Sequence, residues 1–186
     1  MRKFVSFMFA AALVVALAGC GTTENGGEPS GSIVPPLGDY PNYVAVFQAF
    51  STDETLDSFN NKLGVTGVLA NPEVSQVSYL WDIDGGHGVT ASVSSSGRIA
   101  SAELIYDEKQ VTNSNISISQ TGLDELRAKD DATYDYIKSR CGDNGLLVRF
   151  SASGTRTYVW LSDDYKLSAT FDAANISTNI TGGPRI

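Results

Sequence analysis

Histidine and cysteine are nearly missing from this chain: His87 is its one histidine, and Cys20 and Cys141 are its two cysteines, in 186 residues. A single imidazole with no cysteine beside it cannot complete a zinc set. Two cysteines build no disulfide framework, so burial must hold the fold together. Basic side chains are scarce as well. Thirteen lysines and arginines against 21 aspartates and glutamates leave a net charge of −8. That balance argues against nucleic acid or an anionic lipid surface as a partner. No apolar run reaches the roughly 20 residues that cross a bilayer as a helix. No phosphate-binding glycine loop, no zinc spacing and no acid/base carboxylate pair stands out. The expectation is a protein without cofactor or metal that is not an enzyme.

What is present begins at the first residues. Met1-Arg2-Lys3 carries two positive charges, and Phe4–Ala18 follows with Ser6 as its one polar side chain. A charged start and an apolar run of this length read as a signal peptide. The run ends Leu17-Ala18-Gly19-Cys20. This resembles the lipobox of bacterial lipoproteins. The resemblance implies cleavage before Cys20, a diacylglycerol on its thiol and acylation of the new amino terminus. Two or three acyl chains anchor a protein stably where one does not. The competing reading is an ordinary secretory signal in which Cys20 is incidental. Loss of Arg2 and Lys3 would take the charge from −8 to −10. Residues 20–39, rich in Gly, Ser, Thr and Pro, read as a flexible tether after a signal peptide over 1–19. The expected location is the extracytoplasmic face of a bacterial membrane.

The remainder matches itself under a shift of 78 residues. Asp53, Thr55 and Asp57 fall on Asp131, Thr133 and Asp135. Gly64 and Gly67 fall on Gly142 and Gly145, and Lys62 on Arg140. With one inserted residue, Tyr79-Leu80-Trp81 falls on Tyr158-Val159-Trp160. Leu56, Phe59 and Leu63, and then Tyr134, Ile137 and Cys141, have the spacing of one helix face. Ser51 or Asp53, and Asp130 or Asp131, are candidate helix caps, and Gly64 and Gly142 candidate helix stops. Val44, Phe47 and Phe50, and later Leu123 and Leu126, suggest a further short helix before each. Alternating runs such as Val89–Val93 and Leu167–Phe171 suggest strands. The predicted fold is α+β: two tandem repeats, over 40–107 and 121–182 with a linker at 108–120. Each is a helix-turn-helix followed by a roughly four-stranded antiparallel sheet.

This plan resembles the β-lactamase inhibitory protein (BLIP)-like fold, shared with the SmpA/OmlA (BamE-like) lipoproteins. The residues that carry the likeness are Thr55–Gly64 with Tyr79-Leu80-Trp81, and Thr133–Gly142 with Tyr158-Val159-Trp160. The resemblance implies a partner protein docked on a concave sheet face, or a part in assembling the cell envelope. The inhibitor braces each unit with a disulfide; here Cys141 stands alone. A small-ligand carrier or an exported enzyme is the remaining alternative.

Tyr79 with Trp81, and Tyr158 with Trp160, are i, i+2 pairs, so each pair shares one face of its strand. They are either core aromatics under the helices or contact residues for a partner. Leu80 and Val159 point the other way and are the more natural core residues. That tilts the expectation toward exposed aromatics that meet an exported or envelope protein. Cys141 reads as a small core residue rather than a reactive thiol. His87 sits in a glycine-rich turn, a poor place to hold a catalytic base. Asp82-Ile83-Asp84-Gly85 lacks the later acidic ligand of a calcium loop, since Val93 stands there.

Overall fold

The computed structural model describes residues 42–71, 77–83, 87–109 and 118–185. The expected signal peptide, Cys20, the tether and the turn at Asp84–Gly86 lie outside the described residues. Two helices come first, α1 (Asn42–Gln48) and α2 (Leu56–Leu63). Strands β1 (Val68–Asn71), β2 (Val77–Ile83), β3 (His87–Val93) and β4 (Ile99–Ile105) follow. The order then recurs, with α3 (Gln120–Arg127), α4 (Tyr134–Cys141), β5 (Leu146–Ser151), β6 (Arg156–Leu161), β7 (Tyr165–Phe171) and β8 (Ser177–Pro184).

The helices start and stop for local reasons. Thr55 precedes α2 in extended conformation, and its hydroxyl accepts the Ser58 N–H at 3.2 Å. Thr133 does the same for α4 with the Tyr136 N–H, also at 3.2 Å. These threonines, rather than Ser51, Asp53, Asp130 or Asp131, satisfy the first helical amides. Gly64 at φ 75° and Gly142 at φ 69° end the two helices in the left-handed region that glycine enters without strain. Phe59 and Leu63 on α2, and Ile137 and Cys141 on α4, form the buried stripe of each helix.

The expected pair of repeats, each a helix-turn-helix with its own four-stranded sheet, does not hold. All eight strands form one antiparallel sheet in chain order, β1 to β8. The helices among the described residues are four short segments of seven or eight residues. The join is the pairing of β4 with β5, through Ser101↔Ser151, Ala102↔Phe150 and Glu103↔Arg149. Two separate sheets would leave both of those strands as unpaired edges, and joining them removes both. The core crosses the join as well. Leu147 and Phe150 of β5 pack in one cluster with Phe47, Phe59 and Trp81 from the first half of the chain. Gln48 of α1 binds β5 directly: its side chain accepts the Leu147 N–H at 2.7 Å and donates to the Leu147 carbonyl at 3.0 Å. A second cluster gathers Leu123, Ile137, Cys141, Trp160, Leu167 and Phe171 under α3 and α4.

Candidate partner-binding face

The four aromatics expected to meet a partner lie on the helix-covered side of the sheet. Trp81 and Trp160 are both 0% exposed. Trp81 packs against Phe59 of α2 at 4.9 Å between ring centres. Tyr158 lies 4.7 Å from Tyr134 of α4. Tyr79 and Tyr158 are half-buried beside their tryptophans. The contact role expected of Trp81 and Trp160 is therefore corrected to a core role. The physical reason is twofold. Each indole fills the space over a glycine: a Cβ on Gly145 would stand 2.6 Å from the Trp160 ring, and one on Gly67 would overlap the Trp81 ring. Each indole N–H also finds an acceptor, Asn60 Oδ1 at 3.2 Å for Trp81 and the Asp143 carbonyl at 2.9 Å for Trp160. A buried indole with its one donor satisfied is a stable core group.

The opposite face is polar, and its side chains stand in register. Residues paired directly across antiparallel strands share a face. One such row runs from β2 to β8 through Leu80, Thr90, Glu103, Arg149, Thr157, Thr170 and Asn179. Beside it a row of serines crosses β2 to β5: Ser78, Ser92, Ser101 and Ser151. Neighbouring hydroxyls bind one another, with Ser92 and Ser101 at 2.8 Å and Thr157 and Thr170 at 3.0 Å. At the join of the two halves Arg149 donates to Glu103 at 2.5 Å, with side chains 58% and 50% exposed. Two shallow grooves, of about 350 and 560 Å³, flank that ion pair, and both are lined by it. The smaller reaches Ser78, Thr90 and Ser92, and the larger reaches Thr157, Lys166 and Thr170.

The chain leaving β4 narrows the far end of this face. The Glu108 carboxylate takes the Lys166 ammonium, and its carbonyl takes the Arg185 guanidinium. Val159 and Leu161, which share the face with Thr157, are buried. Thr157, next to them toward the join, is half-buried, and Glu103 and Arg149 at the join are exposed. Sequence reasoning passed over Glu103, Arg149 and the hydroxyl rows. The signal that finds them is the polar half of each alternating strand, such as Thr90 and Ser92 between Val89, Ala91 and Val93.

The other candidates fall into place. Cys141 is buried, and burial pushes its thiol up to about 12, with Asp143 adding to that and Arg140 opposing it. A thiol so held is not a nucleophile at neutral pH. His87 opens β3 opposite Ile83. Among the described residues no group of three His, Cys, Asp or Glu side chains is placed to hold a metal ion. No described helix is long and apolar enough to cross a membrane. Neither a family model nor a curated protein matches this chain.

Proposed function

We propose that the chain is an exported lipoprotein, held at a bacterial membrane by lipid on Cys20, that acts as a non-enzymatic binding module. Its partner is another exported or envelope protein, docked on the polar face of the sheet. The observation that supports this reading is the register of that face. Aligned hydroxyls and an exposed Glu103–Arg149 pair cross the join of the two halves, flanked by open grooves rather than an enclosed cavity. Both charge signs stand there, so a protein surface of mixed sign complements it, while a polyanion would meet a chain of net charge −8. The lipid reading is supported by the Leu17-Ala18-Gly19-Cys20 motif alone.

Two measurements test the proposal. Metabolic labelling with a fatty acid should mark the chain and be lost in Cys20→Ser; an unlabelled parent chain refutes the anchor. In cells, a photocrosslinker placed at Thr157 or Thr90 should capture one protein partner. Arg149→Glu should lower that capture about tenfold, because reversal sets two like charges on the face. Equal capture from Asp57, on a helix, would refute the sheet face as the docking surface.

A further inference from the structure

Val159 and Leu161 stand on the polar face of the sheet, yet they are only 2% and 1% exposed. Neither belongs to the two core clusters beneath the helices. Leu80, which matches Val159 in the first half, is only half-buried on the same face. The contacts around Leu161 name its cover. Lys166 stands directly opposite Leu161 on β7, and so shares its face, while Ser162 follows Leu161 in the chain. Both are tied to Glu108. The Lys166 ammonium pairs with the Glu108 carboxylate. Arg185, just after β8, donates to the Ser162 carbonyl at 2.6 Å and also to the Glu108 carbonyl. Its own N–H is held by the Asp164 carbonyl at 2.8 Å, in the turn between β6 and β7. Glu108 therefore spans the end of β6 above Leu161, and it lines the larger groove together with Val159.

The chain leaving β4 is held firmly first and loosely afterwards. The Ile105 carbonyl accepts the Tyr43 hydroxyl at 2.8 Å, and Tyr106 packs on the first core cluster. Beyond Tyr106 the chain turns. The Asp107 carboxylate accepts the Lys109 N–H at 2.9 Å, so the turn moves as one piece. Glu108 within it is held by two side-chain cations. Its ion pair with Lys166 is 39% and 36% exposed, open to screening by salt and to exchange with another carboxylate.

We infer that Asp107–Lys109 is an autoinhibitory strap, latched by Lys166 and Arg185, that hides an apolar patch of the docking face. Released, it uncovers Leu161 and Val159 beside two cations that have lost their partner. That surface fits a partner segment with an acidic side chain next to an aliphatic one. Its carboxylate takes the place of Glu108, and its aliphatic group keeps Leu161 from water. Without such a segment, burial of Leu161 and Val159 keeps the strap closed. The inhibitory role rests on the sheet face being the docking surface; the latch itself does not.

The latch is tested on the full chain, solubilised in detergent, by the rate at which Leu161→Cys reacts with a maleimide. The chain without that change sets the background, and the buried Cys141 reports any general loss of fold. Glu108→Lys repels both cations and leaves them on the sheet. It should speed labelling at position 161 about tenfold, with Cys141 still protected. Adding Lys166→Glu restores an opposite pair and should slow labelling again, which a merely structural role would not do. Labelling indifferent to Glu108→Lys overturns the latch. So does a rise that Cys141 shares, or one that Lys166→Glu leaves in place. In cells, Glu108→Lys should raise capture from a photocrosslinker at Thr157 several-fold. Capture that stays level while labelling responds refutes the inhibitory role. No capture from any chain, the parent included, tells against the docking face instead; the inhibitory role then falls with it, and labelling still decides the latch.

Discussion

Each tryptophan is matched to one glycine, and that pairing explains why these residues recur along the chain. Gly67 lies against the Trp81 ring and Gly145 against the Trp160 ring, with no room for a side chain at either. Trp81→Ala and Trp160→Ala should each cost about 3–5 kcal/mol, through lost burial and the cavity left behind. Gly145→Ala should cost about 1–3 kcal/mol from overpacking, with further strain because Gly145 sits at φ 72°. Urea denaturation of each variant measures these losses; a Trp160→Ala midpoint equal to the parent's would remove the indole from the core. The sequence displayed the pairing but hid its meaning. A period of two states that Tyr79 and Trp81 point the same way. It does not state which way, because that depends on which face the helices cover. Valine and leucine at Val159 and Leu80 pointed reasoning to the wrong face, since in this sheet the larger rings lie beneath the helices and the smaller apolar residues stand opposite.

At the level of elements, α2 depends on one buried carboxylate just before it. Glu54 accepts the Ser51 N–H at 3.1 Å and the Ser58 hydroxyl at 2.5 Å, and pairs with Lys62 at the far end of the helix. Burial pushes its acidity toward weaker values, but the bonds from Lys62, Ser58 and Ser51 outweigh it and hold the pKa below the ordinary 4.5. A depressed carboxylate stabilises the fold fully above its unfolded value. That contribution is lost as pH falls below about 4.5 and through the folded value. Thermal melts should therefore show a fall in midpoint over this acid range that is smaller in Glu54→Gln, which is already destabilised at neutral pH. Parallel curves for the two proteins would deny Glu54 this role. Ser51 was legible as a candidate cap, whereas the structure uses Thr55 as the cap and turns the Ser51 N–H to the Glu54 carboxylate. The helix faces and strand runs were legible too, because they follow local periodicity.

The continuity of the sheet was not legible, because nothing local marks β4 as the neighbour of β5. Their pairing closes across the α3–α4 segment and is held by shared burial of Ala102 and Phe150. A self-matching sequence suggested two units with a linker at 108–120, whereas one core cluster spans that boundary. The expected consequence is that the two halves unfold together, and the two tryptophans report on this separately. Trp81 belongs to one cluster and Trp160 to the other. The single-tryptophan variants Trp81→Phe and Trp160→Phe, followed by fluorescence in urea, should each give one transition. Each variant's fluorescence and circular-dichroism curves should superimpose. In either variant, a fluorescence transition that separates from the circular-dichroism curve would mean that the halves unfold independently.

Strand order equal to chain order has a further result for how the molecule is made. A chain that emerges amino end first can lay each new strand on the one before it in sequence. The longest wait falls on β4, whose outer side stays bare while α3 and α4 emerge and until β5 arrives. That interval is when a half-made copy is most exposed to joining the wrong neighbour.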